Sequence, residues 1–445
     1  MTSASLLLST GEQDFAELRS KKMLYVDKTA FIHKLVFVRK SKFNFIARPR
    51  RFGKSLLVSL LKNLFEGRRE LFEGLFIYDK IDWQPHPVIH LDFSRIGFKD
   101  IGLTPAIDRR LNAIAASYKV ELRETGIGLK FAELMERLHR QCGRQVAVLI
   151  DEYDKPITEV LEVANNQQAY LHRDILRQLY SVVKGSSEHI CFFFMTGVAR
   201  FAKVSAFSDL NNLTDLTFSD WFHNMLGYTQ EEIERYFAVH LEEIAKRQGI
   251  SREGLLGQVR YWYDGFSWNG VERVYNPYSV LRFLEEGKFM NFWFDTGTPK
   301  FLVEMLKRHQ VYDLSGKQVS LTMTENLEIE RLNLYSLLFQ TGYLTLWSYD
   351  KESDLYTLDY PNQEVSRTMI EHILVSFSEN AEGGSLARQL GLSVRRHDIA
   401  GMMETVNGLF SCIPHQLFDS RQERYFHAIL FLALKLCGFL IASEV

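Results

Sequence analysis

Hydrophobic positions change their spacing several times along the chain, and those changes lay out its elements. From Lys42 the run KFNFIA has strand character, a polar loop RPRRFG follows, and in KSLLVSLLKNLFEG the positions Leu56, Leu57, Leu60, Leu61 and Leu64 recur at helical spacing. The order is strand, loop, helix. Further apolar runs, PVIHLDFS from Pro87, QVAVLIDEYD from Gln145 and HICFFFMTG from His189, are separated by helical stretches. Near-continuous apolar strands alternating with helices predict an α/β fold whose parallel sheet is covered on both faces. After about Asp220 the texture changes. EEIERYFAVHLEEIAKRQ reads as an amphipathic helix, and aromatics cluster in YWYDGFSW and VYNPYSVLRFL. This gives a sheet domain over 1–220, a mainly helical domain over 221–362 and a third stretch over 363–445. The last of these ends in ERYFHAILFLALKLCGFLIASEV, a helix expected to turn at Gly438 into a strand.

Composition acts by exclusion. Lys plus Arg number 53 against 55 Asp plus Glu, for a formal charge of −2, so no global basic field advertises nucleic acid. Cys142, Cys191, Cys412 and Cys437 form no C-x-x-C pair, which predicts thiols in a reducing compartment. The most apolar run, AILFLALKLCGFLI from Ala428, is interrupted by Lys435 and falls short of the ~20 residues that span a bilayer. The N-terminus has no basic region of the secretory kind. A cytoplasmic protein without a membrane partner is expected.

The chemistry concentrates in Arg48–Ser55, RPRRFGKS, set between a predicted strand and a predicted helix. A P-loop, G-x-x-x-x-G-K-[ST], wraps phosphate with its backbone, reaches the β- and γ-phosphates with Lys and holds Mg²⁺ with the hydroxyl. Here Arg48 stands at the first glycine position, while Gly53, Lys54 and Ser55 keep the pattern; Pro49, Arg50, Arg51 and Phe52 fill the loop. The helix opening there would turn free N–H groups toward the anion. The plain alternative is a basic surface loop that starts a helix. In VAVLIDEYD five apolar residues lead to Asp151 and Glu152, two carboxylates at the C-terminal end of a buried strand, where ligands of open α/β sheets bind. Asp151 suits Mg²⁺ and Glu152 suits polarising the attacking water. In FFFMTGVARF, Thr196 ends an apolar strand and is placed to sense a γ-phosphate, or is an ordinary strand terminator; Arg200 follows. Arg48, Arg50, Arg51 and Arg200 are all candidate charge stabilisers for a triphosphate. The histidines show no metal-ligand spacing.

YVDKTAFI from Tyr25, RPRRFGKS, HPVIHLDFS, LIDEYDKPI, TGVARF with FSDLNNLTDLT, WYDGFSW, VYNPYSVL, TGTPKFL, TGYLTL and YPNQEVS occur in this order, and together they resemble the bacterial AAA-ATPase-like family. In that family an arginine at the first P-loop glycine is normal. The resemblance implies Lys54 and Ser55 as the phosphate-binding pair and Asp151 and Glu152 as the Walker B pair. It also marks Asn212 and Asp215, in NN-x-x-D, with capping as the plain alternative. Tyr25 to Thr29 either touch the base or ribose, or only cap the next helix through Asp27 or Thr29. Trp262, Tyr263, Phe266 and Trp268 either stack on a base or pack.

Members typically carry a C-terminal PD-(D/E)XK nuclease-superfamily domain, whose metal needs carboxylates on adjacent strands. ERYFHAILFLALKL resembles its helix and LIASEV its following strand, and the acidic hairpin would lie past Val445. Glu423 and Glu444 cannot form it alone, so a partial nuclease-like region without DNA cleavage is expected. The resulting expectation is an ATP-binding, ATP-hydrolysing protein that uses Mg²⁺ and acts as a switch for its C-terminal region. A homo-oligomer could supply an arginine in trans. The alternatives are an ATP-binding regulatory protein without turnover, or a nuclease-associated ATPase that meets nucleic acid through its full-length C-terminal domain.

Overall fold

The computed structural model describes residues 7–161, 166–200, 212–293, 300–309, 311–325, 333–378, 382–410, 422–439 and 441. The apolar runs form the strands β1 (Phe43–Ala47), β2 (Val88–Asp92), β3 (Val146–Asp151) and β4 (Ile190–Gly197), joined by a short β5 (Thr214–Asp215). All pair in parallel in the order β2-β3-β4-β1-β5. Every residue of β1 and β3 is buried because both sheet faces are covered.

Ile46, Ala147, Leu149, Phe192 and Phe194 meet Leu57, Val58 and Leu61 of the helix Lys54–Phe65. Phe45, Val148, Ile150, Phe193 and Met195 meet the helices Leu103–Ser117, Ile127–Cys142 and Gln167–Gly185 on the opposite face. Side chains alternate along a strand, so Asp92, Asp151 and Thr196 all emerge on the face of the helix that follows the loop. Asp92 is in register with Asp151, and Thr196 with Ile46. One row of polar tips therefore crosses the C-terminal edge of the sheet, with β4 inserted between the loop strand and the acidic strand.

Residues beyond β5 build two further assemblies. The helices Gln230–Tyr236, Ala238–Gln248, Arg252–Tyr263 and Pro277–Glu286 bury Ile233, Phe237, Leu241, Tyr263, Tyr275 and Phe283, and Leu24 and Val26 from the N-terminal segment join that core. The stretch read as mainly helical also contains a three-stranded antiparallel sheet, β6 (Lys317–Val319), β7 (Thr345–Asp350) and β8 (Leu355–Asp359), in the order β6-β8-β7. The main hydrophobic core runs on without a break from the first sheet to Phe266, Trp268, Trp293, Leu337 and Phe339.

From 363 onward the described residues form four helices, Gln363–Ser378, Gly383–Arg395, Ile399–Phe410 and Gln422–Leu436. The last is the helix expected from ERYFHAILFLALKL, and it stops at Gly438, whose φ is +84°. The α/β character expected there has no strand among the described residues, because apolar positions spaced three and four apart within these four helices pair helix with helix. The expected strand LIASEV falls on 440 and 442–445, and Glu444 with it, outside the described residues. Among the described residues no helix is long and apolar enough to cross a membrane.

Candidate functional site

The loop between β1 and its helix closes on a lysine. Gly53 caps the helix with φ +87°, a left-handed conformation that a glycine adopts without strain. Lys54 is buried, and its Nζ donates to the carbonyls of Arg48 (3.0 Å) and Pro49 (2.9 Å). Burial lowers its pKa, opposed by the carboxylates of Glu152, Asp151 and Asp154 and reinforced by the charge of Arg50. Ser55 lies close enough to Asp151 to oppose the upward shift of its carboxyl, so the pair expected for Mg²⁺ is brought together. Mg²⁺ is ordinarily held by one or two carboxylates together with substrate phosphates, and this hydroxyl–carboxylate set fits that habit.

Glu152 follows with φ +50°, strained for a residue with a side chain. Its half-buried carboxylate pairs with Lys155 at 3.1 Å. Thr196 is fully buried, and its hydroxyl has no hydrogen-bond partner among the described residues. A buried hydroxyl without a partner costs free energy, and this one keeps its hydrogen-bonding capacity in the row of polar tips that includes Asp151.

The four arginines separate. Arg48 is buried and turned away from the loop interior: its guanidinium donates to the carbonyls of Ala47, Thr217 and His223 and lies 3.8 Å over the Trp268 ring. Arg200 is buried against Asp215 and over Phe218, and its amide donates to Gln340 at 2.6 Å. Arg51, with φ +66°, stacks on Tyr278. Arg50 is exposed and within electrostatic reach of Lys54 and Lys155. Of the four, Arg50 faces the lysine cluster, and Arg48 and Arg200 are built into the scaffold. Asp215 thereby acquires a partner, whereas Asn212 lies exposed in a turn.

Two carboxylates that the sequence reading passed over belong to this region. Asp92 ends β2 beside Asp151 and raises its pKa; its signal was another apolar strand ending in Asp. Asp154 is fully buried and accepts from the amides of Val198 and Ala199. It lies so close to Gly197 that a Cβ there would come within 2.4 Å of its carboxylate. Tyr153 OH donates to Ala199 O at 2.7 Å, and its amide donates to Thr196 O at 3.1 Å. The turn after β3 and the tip of β4 are thus one rigid piece.

Beside Gly53 an apolar cleft is lined by Tyr25, Val26, Leu56, Leu226, Tyr228 and Pro277, among others. Asp27 accepts from the amide and hydroxyl of Thr29, the first residue of the helix Thr29–His33, and from the amide of Phe76, while Tyr25 and Val26 line the cleft. The aromatics at 262–268 pack: Trp262 on Phe289, Tyr263 on Phe283, and Phe266 and Trp268 edge-on to Phe52.

Burial pushes the Asp151 carboxyl up to about 7, with Asp92 and Glu152 adding to the shift and Ser55 and Lys54 opposing it. Metal needs the carboxylate, so affinity for Mg·nucleotide should fall as pH drops below about 7, by at most about tenfold per pH unit. A titration from pH 8 to 5.5 at fixed free Mg²⁺ that shows no slope would refute this. The native pKa also lies above the unfolded value. The proton-linked stability is therefore fully present below about pH 4 and is lost as pH rises through about 7. Asp151→Asn should raise the thermal midpoint of the ligand-free protein more at pH 8 than at pH 5.5.

A family model described as "Predicted AAA-ATPase" matches residues 9–207, which hold the whole lysine cluster. The match ends before the C-terminal region and carries no support for a nuclease-like domain there. A protein of Azotobacter chroococcum mcd 1, titled "Uncharacterized protein in vnfD 5'region", is 34% identical over 438 residues, spanning 95% of this chain and 82% of its own length.

Proposed function

The chain belongs to the AAA-ATPase-like family, and we propose that it binds and hydrolyses ATP at the edge of its parallel sheet. The observation that carries this reading is the convergence, on one face of the sheet, of the buried Lys54 ammonium, the Ser55–Asp151 pair and the unpartnered Thr196 hydroxyl. In this reading the phosphates lie over Gly53 to Ser55, where helix N–H groups and Lys54 offset their charge. The base occupies the apolar cleft between Tyr25 and Tyr228. Ser55 and Asp151 would hold Mg²⁺, which would supply charge neutralisation at the phosphates. Thr196 donates to a terminal phosphate oxygen, Arg50 adds positive charge from the exposed side, and Glu152 orients the attacking water once its carboxylate leaves Lys155. Because the tip of β4 reaches Gln340 through the Arg200 amide, the phosphate state is felt beyond the sheet domain, as a switch for the C-terminal half requires.

A second reading, ATP binding without turnover, is favoured by the Glu152–Lys155 pair, which occupies the carboxylate needed for hydrolysis. Calorimetric titration of the full chain with Mg·ATP, followed by a phosphate-release assay, tests both. We expect saturable binding and slow release. Binding with no release selects the second reading, and no binding overturns both.

A further inference from the structure

The P-loop is gripped from outside by residues that lie more than two hundred positions downstream. The Arg50 carbonyl accepts from Asn276 Nδ2 (3.3 Å) and Trp293 Nε1 (3.4 Å). The Arg51 guanidinium lies 3.7 Å over the Tyr278 ring. The Phe52 ring meets Phe266 at 5.0 Å and Trp268 at 5.6 Å between centroids, and Arg48 covers Trp268. Pro49 sits on Gly342, where a Cβ would come within 2.7 Å of the proline ring. Every residue from Arg48 to Phe52 thus has a partner in 266–342, and all of those partners but Trp293 come from WYDGFSW, VYNPYSVL and TGYLTL, motifs that the nucleotide chemistry leaves unexplained.

The loop has a physical need for such a backing. It has Arg48 in place of the first glycine, and Arg51 sits at φ +66°, a conformation that a residue with a side chain holds only when its surroundings impose it. A trans peptide is planar, with its C=O and N–H pointing opposite ways. Drawing the Arg50 carbonyl onto Asn276 and Trp293 therefore turns the Arg51 N–H the opposite way, away from those two side chains.

We propose that Trp268, Asn276, Tyr278 and Trp293 are positioning residues that hold the P-loop in its phosphate-binding form, so that nucleotide binding and docking of the 262–293 segment stabilise each other. This rests on reading the loop as the ATP site. If the backing raises the population of the competent loop, weakening it lowers apparent affinity in proportion to the lost population. The coupling must also run in reverse, with nucleotide tightening the segment.

The test uses the full chain with Asn276→Ser and Trp293→Phe, singly and combined. Serine keeps a cap on the helix Pro277–Glu286, where Asn276 now accepts from the amides of Tyr278 and Ser279. Phenylalanine keeps the apolar packing, so what is lost is the pair of donors to Arg50. Three results are expected: faster hydrogen exchange at 48–55 in the ligand-free double variant, Mg·ATP binding weakened about tenfold, and loss of the protection that Mg·ATP confers on 262–293 in the parent. Exchange at 48–55 equal to the parent's overturns the proposal, as does parental binding that leaves 262–293 unprotected, and in both cases the ATP reading stands. A parent that binds no ATP sinks the ATP reading; faster exchange at 48–55 in the variants would still support the backing. Trp268→Phe should restore more of the binding that Trp268→Ala loses.

Discussion

Lys54→Ala should abolish measurable Mg·ATP binding, weakening it by at least about 100-fold, or about 3 kcal/mol. Two losses combine. The ammonium that would meet the phosphates is gone, and the carbonyls of Arg48 and Pro49, which it now holds at 3.0 and 2.9 Å, lose their shared donor at the bottom of the loop. The substitution also removes the cation that offsets Asp151, Glu152 and Asp154, so the folded protein should take up protons more readily near neutrality. Lys54→Arg should not rescue binding, because a forked guanidinium cannot occupy a buried point-charge site wedged between two carbonyls. Calorimetry on parent and variants at matched Mg²⁺, with the thermal midpoint as a check on folding, decides the matter. Parental affinity in a folded Lys54→Ala protein would show that the loop is not the nucleotide site.

What the sequence made legible was local. The leucine spacing after Gly53 marked the helix that packs on the sheet, and the apolar runs ending at Asp151 and Gly197 marked β3 and β4. Their lateral order was not legible, because a fully buried strand reads the same at any position in a parallel sheet. Asp92 was invisible as a site residue for that reason: it neighbours Asp151 only through the pairing of β2 with β3. The arginines could not be ranked, since charge alone does not say which guanidinium turns inward. Arg48 is captured by three carbonyls and an indole contributed by residues up to 220 positions away. The small sheet of β6, β7 and β8 escaped notice because its strands are short and half-exposed, and β6 has only three residues. The aromatic motifs were visible as clusters, but their target, the back of the P-loop, became apparent only from the tertiary packing.

Glu152→Gln and Lys155→Met should move hydrolysis in opposite directions. Glu152 sits at the tip of β3 with a strained backbone, φ +50°, which projects its side chain from the row containing Asp151 and Thr196. A carboxylate there can accept a proton from water as it attacks, and an amide cannot, so Glu152→Gln should lower the single-turnover rate by about 10²–10⁴-fold. It should leave Mg·ATP affinity within a few-fold of the parent's, so that ATP stays bound. In the structure that carboxylate is engaged by Lys155 at 3.1 Å, and Lys155 is in turn 3.6 Å from Glu159. Both acids raise the Lys155 pKa, so the lysine stays charged and the pair persists at neutral pH. A base held in an ion pair is a poorer acceptor, because the pairing stabilises its ionised form. Lys155→Met removes that hold while keeping the length of the side chain, so the basal rate should rise several-fold. If Lys155 instead offset charge on the departing phosphate, the same substitution would slow the reaction. A slower Lys155→Met protein would therefore remove the lysine from its restraining role, and a Glu152→Gln protein that turns over at the parental rate would remove Glu152 from the chemistry.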